Sequence, residues 1–200
     1  MKTKIKICGL TNLEDALLAD NLGADYLGFI FAKSKRQVDV QTVKRIVEQL
    51  PSGPTKVGVF MDQPLEFVRE TMEKTGLDRI QLHGEESIDF CRALNWPVIK
   101  RIQIDDNASM KSVHDQMNQF PGVQYLIDPG AGDGKTFDWS IIQNLKTDYI
   151  LAGGLNPDNV REAVVMLHPF GVDVSSGVES WAGKKDPEKL KRFIEEVRCQ

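Results

Sequence analysis

A thiol and a carboxyl stand at the ends of two short apolar runs in this chain, and glycines end two more. Lys4-Ile5-Lys6-Ile7 runs into Cys8-Gly9, and Tyr125-Leu126-Ile127 into Asp128. Ile150-Leu151-Ala152 ends in Gly153-Gly154, and Val172-Asp173-Val174 in Ser175-Ser176-Gly177. In a βα protein the C-terminal ends of strands carry the chemistry. A thiol and a carboxyl there read as an acid/base pair. The glycine-rich ends read as a phosphate cradle, because glycine lets backbone N–H groups approach an anion closely. Each group also has a plain structural role. Cys8 could be a small buried hydrophobe, Asp128 a turn residue before Pro129-Gly130, and the glycines tight turns. Joint placement at strand ends is what favours the chemical reading. Cys91 lies on a helical pattern with Ile88, Phe90 and Leu94 and reads as core, and Cys199 as a frayed terminus. Lys33, Lys35 and Arg36 form a basic loop after the second run. An arginine at a barrel mouth holds a carboxylate bidentately, which a lysine does poorly. His114 and His168 receive no role. Glu85 and Glu86 read as caps of the helix after His83-Gly84.

The elements that position these groups alternate along the whole chain. Strands are expected near residues 4–8, 25–30, 56–60, 79–83, 97–102, 123–128, 148–152 and 171–175, with helical patterns between them. Thr11 is the expected N-cap of the first helix. Val43, Ile46, Val47 and Leu50 form the apolar stripe of the second. Pro64, Pro157 and Pro187 are expected to open the third, seventh and eighth, and Gly76 to close the third. The fifth helix is placed around 107–119 and the sixth at 139–145. Eight βα units in about 200 residues suit a single α/β domain over 1–200, a (β/α)8 TIM barrel with short loops. An open doubly wound sheet is the alternative, but its dinucleotide fingerprint is absent after the first strand. Side chains alternate faces along a strand. If Cys8 faces the barrel mouth, Lys4 and Lys6 share its face, and Gln81, His83, Asp173 and Ser175 point inward by the same rule. A buried Lys6 ammonium needs a partner, and Asp173 is the candidate.

Composition narrows the classes further. Hydrophobic residues make up 41% and charged residues 27%, as in ordinary globular proteins. No apolar run reaches the roughly 20 residues of a membrane span, and no N-terminal apolar stretch suggests a signal peptide. The expected location is cytoplasmic. Three scattered cysteines suggest neither a disulfide framework nor a zinc site. The net charge of −4 disfavours nucleic acid as partner.

The motifs together resemble the phosphoribosylanthranilate isomerase family. They are Lys6-Ile7-Cys8-Gly9-Leu10-Thr11, Gln81-Leu82-His83-Gly84, Gly134-Lys135-Thr136-Phe137-Asp138-Trp139, Ala152-Gly153-Gly154-Leu155-Asn156-Pro157-Asp158-Asn159-Val160 and Asp173-Val174-Ser175-Ser176-Gly177-Val178-Glu179-Ser180. The resemblance spans nearly the whole chain. It implies an Amadori rearrangement of N-(5-phosphoribosyl)anthranilate in tryptophan biosynthesis, by acid/base catalysis with no cofactor and no metal. Asp128 would be the general acid and Cys8 the base. Arg36 would clamp the anthranilate carboxylate. Gly153, Gly154, Asp173, Ser175, Ser176 and Gly177 would hold the rest of the substrate. The expected assembly is a monomer or homodimer, without nucleic acid or membrane. Ser34-Lys35-Arg36-Gln37-Val38 departs from the family's usual Pro, Arg, Tyr order, and Trp181-Ala182 replaces a more usual Ala-Pro pair. Trp181 is expected on the barrel rim. Pro129-Gly130-Ala131-Gly132-Asp133 is a candidate flap. Rival readings are a bifunctional isomerase, which would want an aspartate base at position 8, the neighbouring synthase, a non-catalytic phosphosugar-binding barrel and a thiol sensor.

Overall fold

The computed structural model describes residues 2–105, 107–130 and 136–199. Eight parallel strands close into a barrel in chain order. They are β1 (Lys4–Ile7), β2 (Tyr26–Ile30), β3 (Thr55–Phe60), β4 (Arg79–Leu82), β5 (Val98–Gln103), β6 (Gln124–Asp128), β7 (Tyr149–Leu151) and β8 (Gly171–Val174). Pairing of β8 with β1, with Asp173 beside Lys6, completes the ring. The closed barrel replaces the open-sheet alternative. Outward side chains such as Ile5, Ile7, Leu27, Phe29 and Val172 pack beneath the helices. Tyr26, Val57, Ile99, Leu126, Ile150 and Ala152 fill the barrel below the site. Alternation along each strand therefore buries one apolar layer outside the barrel and another inside it. No helix among the described residues is long and apolar enough to cross a membrane.

The helices are α1 (Leu13–Asn21), α2 (Val40–Val47), α3 (Leu65–Thr75), α4 (Ile88–Ala93), α5 (Met110–Asn118), α6 (Val160–Leu167) and α7 (Pro187–Arg198). Several start one or more residues away from the expected position. Asn12, rather than Thr11, caps α1 by accepting from the Asp15 N–H. The Thr11 hydroxyl instead donates to the Gly183 carbonyl, joining the loop after β1 to the segment after its neighbour β8. Pro64 occupies the N-cap of α3, and Gly76 ends that helix in the left-handed region at φ +68°. Pro157 lies in a turn before α6, where Asn156 and Asn159 side chains take up the backbone N–H groups of Asp158 and Asn156. These local bonds compete with helical pairing. Pro187 does open α7. The sixth expected helix is a 3-10 turn over Trp139–Ile142. After β8 come a 3-10 turn, Ser176–Val178, and a small hairpin of β9 (Glu179–Trp181) and β10 (Lys184–Lys185). This hairpin had no counterpart in the sequence reading. Trp181 sits on it 68% exposed, at the rim. Ala131, Gly132, Asp133, Gly134 and Lys135, which include most of the expected flap, lie outside the described residues.

Candidate active site

Strand parity brings Lys6 into the barrel, 1% exposed, where its ammonium donates to Asp173 Oδ1 at 2.9 Å. Burial opposes the Lys6 charge, but Asp173 and Cys8 outweigh it and hold the ammonium above its usual range. Cys8 follows one step toward the mouth. Gly28 on β2 makes space for both: a Cβ there would lie 2.8 Å from the Cys8 sulfur and 3.2 Å from Lys6 Nζ. Glycine inside a strand marks such a close approach. Burial pushes the Cys8 thiol up; Lys6 pulls it down, Asp173 pushes it up again, and Lys185 pulls it down. Burial wins, so the resting group is a thiol with cations beside it that favour its ionised form.

Across the cavity, Asp128 ends β6. Burial raises its carboxyl to about 6, against the downward pull of the Gly130 N–H and Arg101. Its Oδ1 accepts from that N–H at 2.9 Å. His83 Nε2 stands 3.8 Å from Asp128 Oδ2. This is not an ion pair. Burial, then Arg101, Lys6 and Lys100, press the imidazole down to about 3 and keep it neutral. The barrel thus lifts one carboxyl to about 6, close enough to neutral pH for its protonated form to be reached, the usual preparation of a general acid. Cys8, Arg36, His83, Asp128, Asp173 and Ser175 all line one cavity of about 160 Å³. Ser175 Oγ is buried without a hydrogen-bond partner among the described residues and is available to a ligand.

The glycine-rich ends of β7 and β8 meet beside this cavity. Gly153 and Gly154 have φ of +91° and +63°. Gly177 lies so close to the Leu155 carbonyl that any Cβ would collide with it. Among the described residues, the N–H groups of Gly154 and Ser176 find no backbone acceptor. Two loops with turned-out amides at the last two strands of a barrel suit a phosphate.

Arg36 reaches the same cavity, but its guanidinium is already paired. Nε and Nη2 donate to the two carboxylate oxygens of Glu179, each at 2.8 Å. Glu179 also accepts from Lys185, which is fully buried. Neither residue was singled out from sequence. They lie on the hairpin, and Glu179 is 143 positions from Arg36, a separation that leaves no periodic signal. Arg101 was missed as well. It donates to the His83 carbonyl at 3.3 Å and acts on both His83 and Asp128. Glu86 corrects the expected helix cap. Ser87 caps α4, while Glu86 is buried on Lys100 at 2.8 Å and accepts the Asp62 and Gly84 N–H groups. It ties together the loops after β3 and β4 and anchors both to β5.

The sequence matches the family model for N-(5'-phosphoribosyl)anthranilate (PRA) isomerase over residues 5–196. The N-(5'-phosphoribosyl)anthranilate isomerase of Pelobacter propionicus is 44% identical over 199 residues, covering 96% of this chain and 93% of that protein. The crystal structure of phosphoribosyl anthranilate isomerase from Thermotoga maritima superposes with a TM-score of 0.91 at 39% identity, covering 99% of this chain and 100% of that one. A crystal structure of phosphoribosyl anthranilate isomerase in complex with reduced 1-(o-carboxyphenylamino)-1-deoxyribulose 5-phosphate gives 0.88, again at 39% identity and with coverages of 99% and 100%. From its first strand to its last helix, the chain belongs to the N-(5'-phosphoribosyl)anthranilate isomerase family.

Proposed function

We propose that Asp128 and Cys8 are the acid and base of the isomerase step that this family carries out in tryptophan biosynthesis. The observation that supports the pairing most is one shared cavity, with a carboxyl held up to about 6 on one wall and a thiol flanked by ammonium groups on another. Protonated Asp128 delivers its proton to the ribose ring oxygen of N-(5-phosphoribosyl)anthranilate. The C1–O bond breaks, and the anthranilate nitrogen lone pair forms an iminium at C1. That electron sink acidifies the C2 hydrogen. The Cys8 thiolate takes it, and the C–H electrons move into the C1–C2 bond to give an enolamine. Tautomerisation then moves the C2 hydroxyl proton away, adds a proton at C1 and leaves the ketone, 1-(2-carboxyphenylamino)-1-deoxyribulose 5-phosphate.

In this reading, Arg36 takes the anthranilate carboxylate. The amides around Gly153, Gly154, Ser176 and Gly177 take the phosphate. Asp173, with Oδ1 on Lys6, offers Oδ2 to the sugar, as Ser175 offers its unpartnered hydroxyl. All these groups belong to one catalytic domain over residues 1–200. A cytoplasmic setting agrees with three free cysteines. The assembly this reading assigns is no larger than a homodimer. Asp128→Asn should keep the fold and lose about 10²–10⁴-fold in kcat, the range of one positioned acid. A folded variant with near-normal turnover would remove Asp128 from that role.

A further inference from the structure

We infer that Glu179, on the hairpin after the last barrel strand, is a specificity-determining positioning residue that turns Arg36 to receive the substrate carboxylate. This rests on the Arg36 reading above and deepens it. A guanidinium offers two forks of donors. Glu179 fills the fork made by Nε and Nη2, with both bonds at 2.8 Å. The remaining fork, Nη1 with the second hydrogen of Nη2, has no partner among the described residues, and Arg36 lines the cavity that holds Cys8 and Asp128. A planar fork fixed on one side presents its other side in one orientation, which suits bidentate capture of a second carboxylate.

Charge counting gives the same answer. Lys185 Nζ donates to Cys8 O at 2.7 Å, Ser175 O at 3.1 Å and Glu179 Oε1 at 3.0 Å. Three acceptors around one nitrogen suit an ammonium, since a neutral amine has only two N–H bonds; burial pulls Lys185 below its usual range, and Glu179 and Cys8 oppose that pull. Glu179 is therefore one carboxylate between two cations, all three largely withdrawn from water, with side-chain exposures of 14% for Arg36, 4% for Glu179 and 0% for Lys185. Lys189 also reaches Glu179, but through the backbone carbonyl and from an exposed position. While Cys8 rests as a thiol, this cluster carries a surplus of one positive charge, which is costly until an anion joins it; an ionised Cys8 acts on Arg36 and Lys185 in the same direction. An anthranilate carboxylate on the open fork of Arg36 supplies that anion. Glu179 thus holds the clamp without neutralising it. Lys185 ties Glu179 to the Cys8 carbonyl, so the carboxylate seat and the base share one frame.

Two substrates test this: N-(5-phosphoribosyl)anthranilate and the corresponding aniline compound, which lacks the carboxylate. Glu179→Gln should raise KM for the first by roughly 10- to 100-fold, the size of losing charge-assisted bonds, and leave KM for the second unchanged. In an Arg36→Ala background, Glu179→Gln should add almost nothing, because the two residues act as one unit. Glu179→Asp keeps the charge but carries it on a stem one carbon shorter, which draws the carboxylate back from both Arg36 nitrogens. It should show a smaller KM rise with the same substrate selectivity, and it supplies the measurement if the glutamine variant does not fold. If Arg36→Ala itself leaves KM unchanged, the carboxylate clamp is wrong and the inference falls with it. If Arg36→Ala raises KM but both Glu179 variants leave it alone, the clamp stands and the role of Glu179 is overturned. Equal losses on both substrates, or losses that simply add to Arg36→Ala, would mark Glu179 as structural only.

Discussion

Cys8 and Cys91 are both 5% exposed, and burial raises both thiols. By burial alone they are the same residue. Cys91 sits on α4 in the apolar layer between helices and barrel, where the paired charges of Lys100 and Glu86 act on it in opposite directions. Cys8 sits at a strand end, opens on the cavity that contains Asp128, and has Lys6 and Lys185 acting on it. Depth of burial therefore does not separate the two thiols; the charges around each and access to a cavity do.

Substituting the two cysteines in the same way should separate them sharply. Cys8→Ser should lower kcat by about 10²–10⁴-fold with little change in folding, whereas Cys91→Ser should leave kcat unaltered and cost about 1–3 kcal/mol by placing a hydroxyl in apolar surroundings. Steady-state kinetics and denaturant melts check both, and near-normal turnover of Cys8→Ser would end the contrast. Lys6→Met probes the surroundings rather than the sulfur. It strands Asp173 inside the barrel and should cost about 3–5 kcal/mol in urea unfolding, as removal of one partner of a buried ion pair does. A loss below about 1 kcal/mol, the range of exposed pairs, would show the pair to be effectively solvated.

Asp128→Asn should show a gain in stability that depends on pH. The unfolded carboxyl releases its proton near its ordinary value, but the folded one holds it up to about 6. Folding stability therefore falls as pH rises between those two values, and the full penalty remains above them. Asparagine removes it. The variant should be more stable than the parent by roughly 1–3 kcal/mol at pH 8, with the difference vanishing below pH 4. A pH-independent difference would show that the carboxyl is not raised. The smallest effect concerns the shape of the kcat/KM profile. In the proposed mechanism the productive state, protonated Asp128 with ionised Cys8, is one form of a singly protonated pair. Activity should rise through a limb near pH 6 and fall through a second limb above the ordinary thiol range. Asp128→Asn should abolish the lower limb in whatever activity remains.

Most of the barrel and its catalytic mouth could be read from the chain because both follow period-two alternation. All eight expected strands are present, and parity alone paired Lys6 with Asp173 and turned Gln81 and His83 inward. Helix starts were less legible. Asn12 against Thr11, and the asparagine turns around Pro157, are decided by single side-chain hydrogen bonds that several nearby residues could have made. The β9–β10 hairpin left no trace because its strands are only three and two residues long, too short for a period-two pattern, and the Arg36–Glu179 pair left none because it joins positions far apart in the chain with no repeating pattern between them. The Arg36 side chain was rightly placed at the cavity, but nothing in its neighbours revealed that half of it is already occupied.

Gly28 contributes to this site by what it lacks. It bears no reactive group, yet one added carbon would press on the Cys8 sulfur and the Lys6 nitrogen together. A survey of chemically active side chains would pass over it, and a screen for lost activity would flag it beside residues that exchange protons. The room around the Cys8 sulfur is thus set partly by the neighbouring strand, and even alanine at that position is a steric instruction to the enzyme.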